Sequence, residues 1–428
     1  MQHNQQHNQQ TSALRIGVVG GGIAGVALAL ALCRHAHLEV KLFESAKAFG
    51  EVGAGVSFGA NAVRAIAGLG LAEPYAQIAD RTPAPWQDVW FEWRRGRDTE
   101  YLAASLAPGV GQSSVHRADF LDALASDLPE GVAQFNKRAE FIEQTDKEVR
   151  VRFTDGTDAY CDVLIGADGI KSKVREHVLA GLDAAPAEPR FSGTCAYRGL
   201  VSAQALRELY SANGIDEHLI NVPQMNLGLD RHILTFPVKK GSIINVVAFV
   251  SERGEAAPSW PTDLPWVRQS SQQDMLAAFA DWDKAIHLLL GCIPEPSLWA
   301  LHDLEELSGY VHGNVAIIGD AAHATLPHQG AGAGQGLEDA WFLAELLGDA
   351  RLSLADLPRL MAAYDQLRRP RASRVQRTSW EAGLLYELRD PVIGANEQAL
   401  SASLASRFDW LWNHDMEQDI AKAQQMLG

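Results

Sequence analysis

Arg15-Ile16-Gly17-Val18-Val19-Gly20-Gly21-Gly22-Ile23-Ala24-Gly25 is the stretch whose reading decides the fold. The apolar run ending at Val19 predicts a strand, and Val26 to Leu32 predicts a helix. Between them lies Gly-x-Gly-x-x-Gly at Gly20, Gly22 and Gly25. In a strand-turn-helix setting, the first glycine makes the tight turn and the second lets backbone approach a pyrophosphate. The third lets helix and strand pack closely. The helix start then offers free N–H groups and the positive end of a dipole. Glu44 ends a second strand, Val40 to Phe43, at the spacing of an acid that accepts from a ribose hydroxyl. The combination predicts a dinucleotide site.

The rest of the chain has the composition of an ordinary soluble globular protein. It has 428 residues, 47% hydrophobic and 21% charged. A net charge of −16 argues against nucleic-acid or acidic-membrane binding. Cys33, Cys161, Cys195 and Cys292 are widely spaced, without a CxxC pair, which suits a reducing, cytoplasmic compartment. The polar start, residues 1–12 with His3 and His7, reads as a disordered tail and lacks the apolar stretch of a signal peptide.

Patterning places a βαβ unit at 14–44, helix over about 60–80, an aromatic strand at Val89–Arg94, and strands at Val149–Phe153 and Asp162–Ile165. A hairpin is predicted from Ile233–Val238 and Ile243–Phe249, joined by Lys239-Lys240-Gly241-Ser242. The α/β signal returns with a strand at Val315–Gly319 and helices at about 333–349 and 356–379. This gives an α/β fold: a discontinuous Rossmann-like nucleotide domain (13–85, 104–188, 294–378), an inserted β-sheet-rich substrate domain (86–103, 189–293) and a helical C-terminal region (379–428). Leu400, Leu404, Phe408 and Leu411 form an apolar face that packs either on its own domain or in a homodimer.

Two further acids stand at predicted strand ends, where α/β folds bind ligands: Asp168 in Gly166-Ala167-Asp168-Gly169, and Asp320 in Gly319-Asp320-Ala321-Ala322-His323. The segment Pro327-His328-Gln329-Gly330-Ala331-Gly332-Ala333-Gly334-Gln335-Gly336 does not fit a second dinucleotide turn. It reads as a loop whose N–H groups, followed by a helix after Gly336, face a flat electron-rich ring.

These three motifs, in this order over about 14–375, resemble the single-component FAD aromatic monooxygenases of the p-hydroxybenzoate hydroxylase type. The resemblance implies that Gly20, Gly22, Ile23, Ala24, Gly25 and Glu44 hold the ADP half of FAD. It places Asp168 near the pyrophosphate, Asp320 on the ribityl chain, Arg117 beside the FAD, and Gly332 and Ala333 under the ring. Trp90-Phe91-Glu92-Trp93-Arg94-Arg95-Gly96, Phe191 to Gly199, Leu326 to Gly332 and Arg407 to His414 look like the bacterial members of that family that act on salicylate. Decarboxylative hydroxylation of salicylate to catechol is then implied, with NADH and O₂ consumed and oxygen activated at the flavin C4a position. The alternative is a sibling acting on 3-hydroxybenzoate or 6-hydroxynicotinate.

His328 is the candidate partner of the substrate phenol, because an imidazole titrating near neutrality suits a base. Pro327 precedes it, and Trp93, Met225 and Phe249 are candidates to face the substrate ring. Arg81, Arg94 and Arg231 are open alternatives for its carboxylate. His323 reads as structural or flavin-adjacent, with no ligand spacing for a metal. Arg368, Arg369, Arg371 and Arg374 read as a solvated helix face.

Overall fold

The computed structural model describes residues 13–50, 55–254 and 258–428. The predicted tail at 1–12 and part of the glycine-rich run at 50–56 lie outside the described residues. The strand Leu14–Val19 sits centrally in a six-stranded sheet, parallel to Leu38–Phe43 on one side and Val163–Gly166 on the other. Val315–Ile317 pairs in parallel with Val163–Gly166, so the three strands that lead into Gly20, Asp168 and Asp320 end side by side.

The helix Ile23–Leu32 is apolar on all sides and buried over nearly its whole length. The sheet covers one face and the helix Gly332–Leu347 packs on another. The latter helix starts at Gly332, next to the start that patterning placed at about 333 and four residues ahead of Gly336. The glycines that argued for a longer loop are there for packing. A Cβ on Gly336 would stand 3.0 Å from Ala24 Cβ and 3.3 Å from Gly319 Cα, and one on Gly334 would stand 2.8 Å from Ala62 Cβ. Close approach outweighs the ~1 kcal/mol that each helical glycine costs.

The second sheet has eight strands and holds the predicted hairpin, with Val238 opposite Ile243. It reaches beyond the limits drawn from the sequence. Tyr101–Leu106 runs past 103 and Ser297–Asp303 lies beyond 293, while the long strand Arg190–Ser202 falls within the limits. The helix expected over 60–80 is two, Ala60–Gly68 and Ala72–Ile78, separated at Gly70 where φ is +69°. The long helix Leu357–Tyr386 runs unbroken through the 378/379 boundary. Leu400, Leu404, Phe408 and Leu411 are buried against Trp90, Trp93 and Tyr386 of the same chain, so that face is not left for a second subunit. All four cysteines are free. Among the described residues no helix is long and apolar enough to cross a membrane.

The arginine-rich stretch of the long helix is not a solvated face. Arg374 is exposed, but Arg368 is fully buried and Arg371 nearly so. Arg368 Nε donates to Asp339 Oδ1 at 2.9 Å and its Nη1 to Glu338 Oε2 at 2.8 Å. Arg371 Nε donates to Glu338 Oε2 at 2.7 Å, and Asn61 Nδ2 to Glu338 Oε1 at 2.7 Å. Buried charges of this kind persist only as a fully paired set. Burial alone would raise both carboxyl pKa values, but the arginines, with His323 at Asp339, hold each at about 2.

Arg368→Met should therefore cost about 3–5 kcal/mol in urea unfolding, the usual penalty for stranding a buried charge. A loss below about 1 kcal/mol would mean that water reaches the pair. Because these carboxyl groups are depressed in the folded state, their contribution is present above the ordinary carboxylate range and is lost as pH falls toward about 2. The acid-unfolding midpoint should rise in the variant.

Candidate active site

The ends of the three parallel strands open onto a cleft of about 360 Å³. Gly20, Gly22, Ile23, Ala24, Glu44, Arg117, Asp168, Asp320, Gly332 and Ala333 all line it. Gly25 does not; a Cβ there would sit 2.1 Å from Gly20 O, so its part is to bring helix and turn together. Gly20 has φ of +110°, and a Cβ on it would strike Ala167 O at 2.2 Å. A Cβ on Gly22 would meet nothing within 4 Å. The turn is thus closed behind and bare in front, as a backbone that receives a pyrophosphate must be.

Glu44 Oε2 accepts the Gly21 N–H at 2.7 Å and Oε1 accepts the Ala46 N–H at 2.6 Å. It braces the glycine turn and keeps lone pairs for a ribose hydroxyl. Asp168 is more committed. It accepts from Ser172 Oγ at 2.5 Å and Lys173 N at 2.8 Å, which anchors the loop ahead of the helix Lys173–Gly181. Asp320 is exposed at the cleft and heads a short helical turn after Gly319. Its neighbour His323 is buried and pairs with Asp339 Oδ2 at 2.6 Å, the structural alternative of the two the sequence allowed.

Sequence reasoning missed Arg198, on the strand Arg190–Ser202. Its Nε is buried without a hydrogen-bond partner. Burial, and then the charge of Arg117, pushes its pKa down to about 10. Arg117 lines the cleft, and two cations close enough to repel each other favour an anionic ligand on that side. The bare turn, the exposed Asp320 and this cationic side together fit a dinucleotide of the FAD kind. Among the described residues no group of three or more His, Cys, Asp or Glu is placed to hold a metal ion.

Past the glycine helix, Pro327–Gln329 forms a short 3₁₀ turn closed by Gly330 at φ +61°. It puts His328 in the interior, 2% exposed. The ring lies against Phe249, centroids 5.3 Å apart, and a Cβ on Gly383 would stand 2.8 Å from its Nε2. Burial, and next the proximity of His232, lowers the His328 pKa to about 3. It is therefore a neutral imidazole at physiological pH, and its Nε2 is buried with no hydrogen-bond partner.

Its Nδ1 lies 3.2 Å from Nε2 of His232, which stacks on Phe249 at 4.1 Å. His232 was also missed, although the predicted hairpin turn already implied its place: pairing 238 with 243 sets 232 opposite 249. Phe249 thus frames His328 directly. Trp93 and Met225 do not touch the imidazole in the same way. Both belong to the neighbouring cluster on the C-terminal helices, where Trp93 Nε1 donates to Ser105 Oγ at 2.9 Å and its ring meets Tyr386. Phe91 of the same strand and Phe408 of the C-terminal region pack against Trp93.

The arginines considered for a carboxylate are occupied or remote. Arg94 pairs with Glu92 at 2.7 Å and Gln224 at 2.6 Å, and Arg231 with Asp281 at 2.9 Å. Arg81 is exposed on a two-residue strand.

A family model described as an FAD binding domain matches residues 13–379. Salicylate hydroxylase of Pseudomonas putida is 69% identical over 415 residues, covering 97% of this chain and 96% of the relative. The 6-methylsalicylate 1-monooxygenase atA of Aspergillus terreus is 36% identical, covering 95% of this chain and 91% of its own length. A solved structure described as a salicylate hydroxylase substrate complex superposes with a TM-score of 0.91 at 53% identity, over 96% of this chain and 98% of that one. With the strand-end cleft and these relatives together, the chain belongs to the FAD-dependent monooxygenases of the salicylate hydroxylase family.

Proposed function

We propose that this enzyme converts salicylate to catechol and CO₂, with FAD held in the strand-end cleft and NADH and O₂ as co-substrates. The four free thiols accord with work in a reducing cytoplasm. FAD, when bound there and reduced by NADH, would activate O₂ as the electrophilic oxygen donor. The chain's own residues prepare the ring for it.

The observation that carries the reading is the buried, unpartnered Nε2 of His328. A buried polar atom without a partner is rare and asks for one. The O–H of a phenol supplies it: the hydroxyl donates to Nε2, and transfer of the proton leaves the ring electron-rich at the carbon that bears the carboxylate. An imidazole already protonated could not do this. The pKa of about 3 keeps His328 an unprotonated hydrogen-bond acceptor at neutral pH. It is also a weaker base than the near-neutral imidazole expected from sequence, so proton transfer depends on substrate binding and on the groups behind the ring. Phe249 and the stacked His232 make an apolar wall that positions a flat ring and excludes water. The N-terminus of Gly332–Leu347 stabilises negative charge that develops on the flavin side.

Anaerobic stopped-flow should show rapid reduction of the bound flavin by NADH only when salicylate is present, and aerobic turnover should yield catechol with CO₂. A product that keeps its carboxylate would assign the enzyme to a sibling substrate instead. His328→Ala should retain FAD and lower kcat by about 10²–10⁴-fold, the usual contribution of a positioned base; a kcat equal to the parent's would remove His328 from the chemistry. Glu44→Ala should lose flavin on dialysis, and full occupancy afterwards would confine Glu44 to bracing the turn.

A further inference from the structure

His328 does not stand alone in the interior. Behind it run His232, on the strand Arg231–Val238, and then Glu387, the residue after the long helix Leu357–Tyr386. Both are fully buried. His328 Nδ1 is 3.2 Å from His232 Nε2, and His232 Nδ1 is 3.3 Å from Glu387 Oε1, an attractive contact slightly off hydrogen-bond alignment. Catalytic contacts of this kind tighten when substrate binds. The far side of Glu387 is fully engaged: Oε1 accepts from Ser251 Oγ at 2.8 Å, and Oε2 from Arg253.

We propose that Glu387 and His232 are positioning residues which fix the tautomer of His328, so that its Nε2 is a lone-pair acceptor aimed at the substrate phenol. This rests on the reading of His328 given above and adds two residues to it.

The argument is one of donors and acceptors. An ionised carboxylate can only accept. Facing Glu387, His232 must therefore carry its proton on Nδ1, which leaves its Nε2 an acceptor. Facing that acceptor, His328 must carry its proton on Nδ1, which leaves Nε2 bare. Each step has one solution, because all three groups are buried and burial penalises any unpaired alternative. The logic is that of an acid holding a histidine in one tautomer for a nucleophile, with a second histidine interposed.

Glu387 is held ionised for this purpose. Burial would raise its pKa; His232 and Arg253 outweigh that and set it at about 2. When the phenol proton passes to His328, the phenolic O–H bond breaks and an N–H bond forms at Nε2. No electron leaves either molecule. The imidazolium so formed lies two contacts from a fixed negative charge, which offsets its burial. The charged groups that face this pocket are Glu387, Arg253 and Arg407, with the two imidazoles between them. Glu387 is the only one among them that favours a positive imidazole.

Glu387→Gln tests the assignment. An amide offers both donor and acceptor and no charge, so the tautomer is no longer fixed. FAD content and salicylate affinity, read from quenching of flavin fluorescence, should stay within about threefold of the parent, while kcat at neutral pH falls by about 10²-fold or more. The acid limb of the kcat–pH profile should shift toward lower pH, since the carboxylate that raises the pKa of His328 is gone. Glu387→Asp should restore part of the rate and move the profile back. If Glu387→Gln does not fold, His232→Gln carries the same expectation for kcat and binding, with the pH shift reversed. A parent-like kcat and pH profile in the folded variants, with His328→Ala inactive, would overturn the positioning role and leave His328 as the base. Loss of flavin and salicylate binding together with kcat, without a pH shift, would mean that the carboxylate is structural and would also overturn it. Parent-like kcat in His328→Ala would remove the reading on which it rests.

Discussion

One carboxylate, that of Asp339, ties the two halves of the cofactor cleft together. It accepts the backbone N–H of Gly319 at 3.0 Å and faces His323 Nε2 at 2.6 Å, while Arg368 holds its other oxygen. Gly319 has φ of +58° and ψ of −140°, a conformation that glycine alone adopts easily. The hydrogen bond that the Gly319 N–H donates to Asp339 helps offset its cost. Because Asp339 belongs to the helix whose N-terminus faces the cleft, the strand end carrying Asp320 and the helix start at Gly332 cannot shift independently. Glu338, the next residue, extends the same lock to Asn61 and, through Arg371, to the backbone of Leu411.

Charge is therefore used in two opposite ways within one interior. In the Glu338–Asp339–Arg368–Arg371 set every carboxylate oxygen and guanidinium finds a partner, which makes the set rigid. Around His328 the pairing is deliberately incomplete. Glu387 is saturated on its outer side by Ser251 and Arg253, His232 mediates, and the last nitrogen in the line is left bare. An unsatisfied buried acceptor costs stability. It persists because the surrounding sheet, the 3₁₀ turn and the glycine at 383 leave the imidazole nowhere else to go.

The same packing explains why His328 is neutral when an exposed histidine would be partly protonated. Removal from water disfavours the cation, and the second imidazole adds to the effect. An imidazole that is already free at working pH can accept the phenol's hydrogen bond, but its low pKa means that it needs help to take the proton. The carboxylate two contacts away then stabilises the charge that results, without raising the resting pKa as far as direct contact would.

Much of this was legible in the sequence, for local reasons. The glycine turn, its strand and helix, Glu44, and the acids Asp168 and Asp320 follow from spacing alone, since each depends on neighbours within a few residues or on the end of an apolar strand. The hairpin register was likewise set by its turn. Tertiary structure decided what depends on distant partners. The arginines at 368 and 371 look like a solvated face until two acids on another helix bury them. Gly334 and Gly336 look like loop until Ala62, Ala24 and Gly319 require close approach. Trp93 belongs to the C-terminal helices because those helices fold back on the strand that carries it. Glu387 had no signal at all, being one acid after a long helix. Only the return of that helix across the sheet brings it to His232, and burial of a charge is a property of the assembled fold and not of any segment.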